Sequence, residues 1–119
     1  MSVKFSTLSV DVLNDGRTYR VNRPFIVEMP GRKFIVPAGF ETDFASVPRG
    51  LWNIFPPFGR YSKAAVLHDY LYRCSSMERK TCDKIFLDCM EALGVPWRKR
   101  KAMYYGVRMF GGFCRETQR

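Results

Sequence analysis

Histidine occurs once in this chain, as His68, and no C-x-x-C pair is present. With one imidazole and no closely spaced thiols, the ligand supply argues against a zinc site. No apolar run approaches the roughly 18 residues of a transmembrane helix, so no segment reads as membrane-spanning. No apolar h-region follows the N-terminal Met1-Ser2-Val3-Lys4-Phe5-Ser6-Thr7, and no signal peptide is expected. The four cysteines, Cys74, Cys82, Cys89 and Cys114, are therefore read as buried free thiols of a reducing compartment. Cys82 and Cys89 share a helix face about 10 Å apart along the axis, too far to pair. A G-x-S-x-G nucleophile elbow and the known DNA-binding motifs are also missing.

Acids are scarce as well: 11 against 20 Lys and Arg, a net charge of +9. Residues 1–61 carry 8 cations and 5 acids, and residues 62–119 carry 12 and 6, so the excess leans toward the C-terminal half. Nucleic acid, anionic lipid and acidic protein surfaces are the partners such a balance allows, and charge alone does not choose among them. What is plentiful is aromatic and apolar: 46% apolar residues and 10 phenylalanines in 119 residues. That suffices for one modest core without metal or disulfides, with aromatic surplus left for contacts with other chains.

The pattern predicts a single α+β domain over 1–119, with a β-rich part at 1–40, a packed loop at 41–61 and a helical part at 62–112. Leu8, Val10 and Val12 alternate with polar residues before the turn signal Asn14-Asp15-Gly16, and Tyr19 and Val21 suggest a second strand. Phe25–Glu28 and Phe34–Val36 flank Met29-Pro30-Gly31-Arg32, a hairpin with a Pro-Gly turn. A small antiparallel sheet with one face on the core follows. Phe44, Trp52, Ile54, Phe55 and Phe58 make 41–61 too apolar for a solvated linker, with a helical turn expected near Leu51–Ile54.

From Ser62, read as an N-cap, the period becomes helical, with a first helix through about Arg73. Ser75-Ser76-Met77-Glu78 reads as a capping box opening a second helix, whose core stripe is Cys82, Ile85, Phe86, Cys89 and Leu93. Gly94 and Pro96 end it. A third helix starts near Trp97, buries some of Met103, Tyr104, Val107 and Phe110, and stops at Gly111-Gly112. The short 74–76 connection makes the first two helices an antiparallel hairpin.

On the first helix, His68 lies one turn from Ala64 and one from Tyr72, on a face that packs or lines a cleft. Asp69 points about 100° away, so it cannot serve His68 directly. A carboxylate for His68 comes from Asp83 of the second helix or from Asp43 of the preceding loop. Such a pair can act as a general base on water. It can equally be an architectural hydrogen bond, because a buried histidine needs partners and the loop around Thr42, Asp43 and Ser46 offers them. Asp43 and Ser46 fit Asx- and Ser-turns, or a Ser46–His68–Asp43 triad. Asp69 is left to hold a cation such as calcium through oxygen ligands. The run Arg98-Lys99-Arg100-Lys101 opens the third helix against its dipole, which suggests a binding surface.

Two resemblances bear on these residues. Over roughly 62–90, His68, Asp69, Tyr72 and Asp83 are similar to the helical hairpin of phospholipases A2, which implies a His68–Asp83 base and calcium at Asp69. The segment upstream departs from that family's glycine-rich calcium loop, offering Phe55-Pro56-Pro57-Phe58-Gly59-Arg60 instead. A longer match runs from Gly39 to Gly112: G-F-x-T-D-F-A-S-V-P-R with Arg49, then A-A-V-L-H-D-Y-L-Y, then Asp83 and Phe86. It resembles a family of bacteriophage and prophage proteins catalogued as a domain of unknown function (1353). That resemblance implies a phage context, often within late or structural modules. The expectation drawn from it is a virion or virion-assembly component associated with tail, neck or baseplate, located in the particle or in host cytoplasm during assembly, with other phage structural proteins as partners. The alternatives are a small His/Asp hydrolase acting on the cell envelope and a basic nucleic-acid-binding accessory protein. No cofactor is expected unless calcium binds at Asp69.

Overall fold

A computed structural model describes residues 3–16, 18–42 and 62–118, with 110–118 as backbone only. The α+β class holds. The chain falls into two compact units, 1–43 and 44–119.

Among the described residues, the first unit contains six short strands: β1 (Lys4–Phe5), β2 (Val10–Val12), β3 (Tyr19–Val21), β4 (Phe25–Met29), β5 (Arg32–Val36) and β6 (Glu41–Thr42). They form two antiparallel sheets of three rather than one, in the orders β1-β4-β5 and β2-β3-β6. The hairpins arise where the turn residues demand them. Met29 pairs with Arg32 across Pro30-Gly31, and Gly31 takes φ 76°, a region costly for any residue with a Cβ. Asp15 accepts hydrogen bonds from the Thr18 amide (2.8 Å) and hydroxyl (2.6 Å), closing the β2–β3 turn. The division into two sheets depends on long-range pairings, β1 with β4 and β3 with β6, that no local pattern signals. Alternation then buries Tyr19, Val21, Phe25, Val27, Val36 and Thr42. The exposed Arg20–Glu41 pair (3.0 Å) sits at register on β3 and β6 and contributes under about 1 kcal/mol.

The second unit contains α1 (Ser62–Cys74), α2 (Arg79–Ala92) and α3 (Trp97–Gln118). Helix α1 is buried on most of its circumference: Ala64 through Asp69, Leu71 and Tyr72. Helix α2 buries Cys82, Asp83, Ile85, Phe86, Cys89 and Met90. Leu93 is only half-buried and serves as the C-cap, so Met90 takes its expected place in the stripe. Gly94 at φ 80° donates to Glu91 O (3.1 Å) and Val95 to Met90 O (3.0 Å), a Schellman cap that ends α2 where its glycine predicts.

Three local expectations are corrected. The capping box does not form: the Ser75 hydroxyl accepts from the Met77 amide (2.8 Å) in a Ser-turn, and Glu78 is the N-cap without a side-chain cap bond. The helix begins at Arg79, four residues after Ser75. Cys74 is exposed, unlike the buried Cys82 and Cys89. Gly111-Gly112 does not stop α3, which continues to Gln118. Each glycine there costs about 1 kcal/mol relative to alanine, but without a following proline nothing forces an end. The helical turn expected near Leu51–Ile54, and all of 43–61, lie outside the described residues.

Candidate active site

His68 and Tyr72 are one turn apart on α1, so both side chains leave the same face. The four-residue connection 75–78 returns α2 along that face and brings Asp83 to it. His68 Nε2 lies 2.7 Å from Asp83 Oδ1, and the Tyr72 hydroxyl donates to the same oxygen. Arg108 of α3 donates to Asp83 Oδ2 at 3.0 Å. One carboxylate on α2 thus gathers donors from α1 and α3. The imidazole is held from the sides as well, stacked on Phe86 (centroids 4.6 Å) and tilted against Tyr72 (4.2 Å). His68, Asp69 and Asp83 have no exposed surface.

The electrostatics follow from this geometry. Burial works to raise the Asp83 carboxyl. The hydrogen bonds from His68 and Tyr72, the His68 charge and the Arg108 hydrogen bond outweigh it, so Asp83 is held below its ordinary value and stays ionised. Burial first, then the hydrogen bond to Asp83, pushes the Tyr72 phenol above its ordinary value, so it remains a neutral donor. An ionised Asp83 on Nε2 fixes the tautomer: Nε2 carries the proton, and in the neutral ring the lone pair is on Nδ1.

A pH dependence follows. The unfolded chain binds the Asp83 proton more tightly than the folded one does. The stabilisation is therefore complete above the ordinary aspartate value of 3.8 and disappears as pH falls through the depressed folded value. Denaturation titrations below pH 5 are expected to show stability decreasing by up to about 1.4 kcal/mol per pH unit for this group, with a flatter acid limb in Asp83→Asn. An acid limb identical in the two proteins contradicts the assignment.

Asp69 diverges from His68 as its position on α1 dictates, and Arg73 one turn on donates to its Oδ2 at 3.1 Å. The positive charge beside Asp69 thus comes from the chain itself, and a calcium ion there would have to compete with Arg73. Among the described residues, no three His, Cys, Asp or Glu side chains are placed to share a metal ion. Thr42 is buried in β6. Asp43, Ser46 and Arg49 lie outside the described residues. Of the basic run, Arg98, Lys99 and Lys101 are exposed, while Arg100 donates to Val95 O (3.0 Å) and so secures the α2–α3 turn. Sequence reasoning missed Arg108. Its one signal is a cation set between Val107 and Met109 on the helix that buries Met103 and Val107.

Comparisons with other proteins place the chain among relatives of unassigned function. Over 83 residues, 68% of this chain, the protein is 42% identical to the uncharacterized protein y4jT of Sinorhizobium fredii (strain NBRC 101917 / NGR234). The match spans about a quarter of that relative's length, 25%. No solved structure matches. Residues 19–107 match the family described as "Protein of unknown function (DUF1353)", a span holding His68, Tyr72 and Asp83 and ending one residue before Arg108. With most of its length inside that match, the chain belongs to the DUF1353 family.

Proposed function

We propose that His68 is a general base in a small hydrolase of the His/Asp type, with Asp83 as its orienting carboxylate. The observation that carries this reading is the 2.7 Å contact between His68 Nε2 and Asp83 Oδ1. An imidazole oriented in this way by a carboxylate can take the proton of a water attacking an ester carbonyl. Asp83 stabilises the imidazolium that results, and Tyr72 and Arg108 keep Asp83 ionised and in place. The hairpin's similarity to that of phospholipases A2 favours envelope lipids as the substrate class. The complete burial of the ring sets a condition: substrate binding has to bring water to the imidazole.

The test is hydrolysis of phospholipid vesicles and of short-chain esters, with and without calcium, by wild type and His68→Asn. Asparagine removes the base, and its amide falls short of the Nε2 position beside Asp83, so the fold control is part of the test. General-base catalysis contributes about 10²–10⁴-fold, and a loss of that size with the fold intact by circular dichroism is the expected result. Equal turnover in the two proteins, or none in wild type on any ester, defeats the reading.

The complete burial of His68, Asp69 and Asp83 favours a second reading. In it the network is an internal clamp, and the chain is a non-catalytic virion or virion-assembly component of a bacteriophage. Mass spectrometry of purified particles that finds the chain there, together with absent turnover, supports this second reading over the first.

A further inference from the structure

The outer face of α3 has a composition that folding does not explain. At about 100° per residue, positions 97, 101, 105 and 109 advance by about 40° a step and form one stripe about 18 Å long. Trp97, Tyr105 and Met109 on this stripe are 56%, 59% and 74% exposed. Lys101 lies between them and Arg98 beside them, both exposed, and each places its charge 5.6 Å from the Trp97 ring centroid. Met103, Gly106 and Val107 occupy the opposite, buried face. No acid occurs between Trp97 and Arg115. A solvated helix face normally mixes both charge signs and few large apolar groups. The cations in the first turn also oppose the helix dipole, so local stability does not account for them.

We propose that this face docks on an anionic lipid surface. The charge complementarity is one-sided: exposed cations on an acid-free stretch call for a dense array of negative groups. The apolar members then select among anionic partners. Indole and phenol rings with polar edges settle at the headgroup level of a bilayer, while Lys and Arg extend to its phosphates. Met109, the most exposed of the three, has no polar group to offer a base edge or a nucleic-acid backbone, and gains by entering the acyl boundary. A groove-reading helix carries polar side chains between its cations, and this one carries Trp, Tyr and Met.

The experiment is co-sedimentation of the full chain with vesicles of phosphatidylcholine alone and of phosphatidylcholine mixed with phosphatidylglycerol, alongside duplex and single-stranded DNA. Tryptophan emission is read in parallel, with Trp97→Phe to separate Trp97 from Trp52. Binding is expected only to the anionic vesicles, weakening as salt rises, with a blue shift that Trp97→Phe abolishes. Each cation near an anionic surface contributes roughly 5-fold, so Arg98→Ala/Lys101→Ala is expected to weaken binding roughly 30-fold. The equal-charge control Lys80→Ala/Lys84→Ala on α2 is expected to change it by under about 3-fold. All four side chains are exposed, so these variants keep the fold, which circular dichroism verifies. No binding to anionic vesicles, an equal loss in the control pair, or binding to DNA in place of vesicles overturns the proposal. The readout is binding without turnover, so it stands or falls independently of the chemistry at His68.

Discussion

Asp83→Ala is expected to lower stability by about 3–5 kcal/mol in urea or guanidinium titration, the largest loss of any single polar substitution among the described residues. The carboxylate accepts from His68, Tyr72 and Arg108 at once. Alanine leaves the His68 and Tyr72 donors buried without that acceptor and turns Arg108 toward no counter-charge. Asp83→Asn retains an acceptor oxygen and is expected to lose about half as much. Tyr72→Phe removes one donor together with the need to satisfy it, and is expected to cost about 1–2 kcal/mol. The exposed Lys84–Asp88 pair (3.1 Å) supplies the contrast, since Lys84→Ala is expected to change stability by no more than about 0.5 kcal/mol. An Asp83→Ala midpoint within 1 kcal/mol of wild type, roughly the net worth of one ordinary hydrogen bond, means the three donors do not converge on this carboxylate.

Phe86→Ala is expected to cost a similar amount, about 3–5 kcal/mol, for a different reason. Phe86 is 1% exposed and stacks on the His68 ring, so truncation opens a cavity against the imidazole. Phe86→Leu refills most of the volume without the stack, and is expected to recover more than half of the loss. The pair also separates packing from positioning. If the stack matters only as filled volume, the leucine variant keeps the wild-type ¹H–¹⁵N signals of His68. If the stack orients the ring on Asp83, those signals shift while stability is largely restored. Equal stability of Phe86→Ala and wild type contradicts the packing described for α2.

The two effects share a cause: the site is built into the core. The side chains that hold His68 and Asp83 come from α1, α2 and α3, and Asp83 sits among the apolar stripe of α2. A substitution there reads out as stability whether or not the ring does chemistry. This is why the His68→Asn turnover assay requires its fold control, and why vesicle binding on the outer face of α3 is an independent measurement.

Much of this arrangement was legible in the residues. The spacing of His68 and Tyr72 places both on one face, and the angle to Asp69 sends that carboxylate elsewhere, toward Arg73 one turn on. The Pro30-Gly31 turn and the Gly94 cap mark where a hairpin and a helix end. These features depend on interactions within about four residues, and the side-chain period records them directly. Two of the misreadings were also local. Ser75 has two competing uses for one hydroxyl, and Gly111-Gly112 weakens a helix without being able to end it.

Periodicity, turn chemistry and charge thus determined the element types, the helical hairpin and the face from which the imidazole projects. Tertiary structure alone decided that Asp83 meets Nε2, that Arg108 arrives on the other carboxylate oxygen, and that six strands divide into two sheets. Those contacts join residues 15 to 25 positions apart, and the strand pairings close comparable loops. Closing such loops costs entropy that only the packed core repays, so their partners are chosen by packing, which no local pattern records.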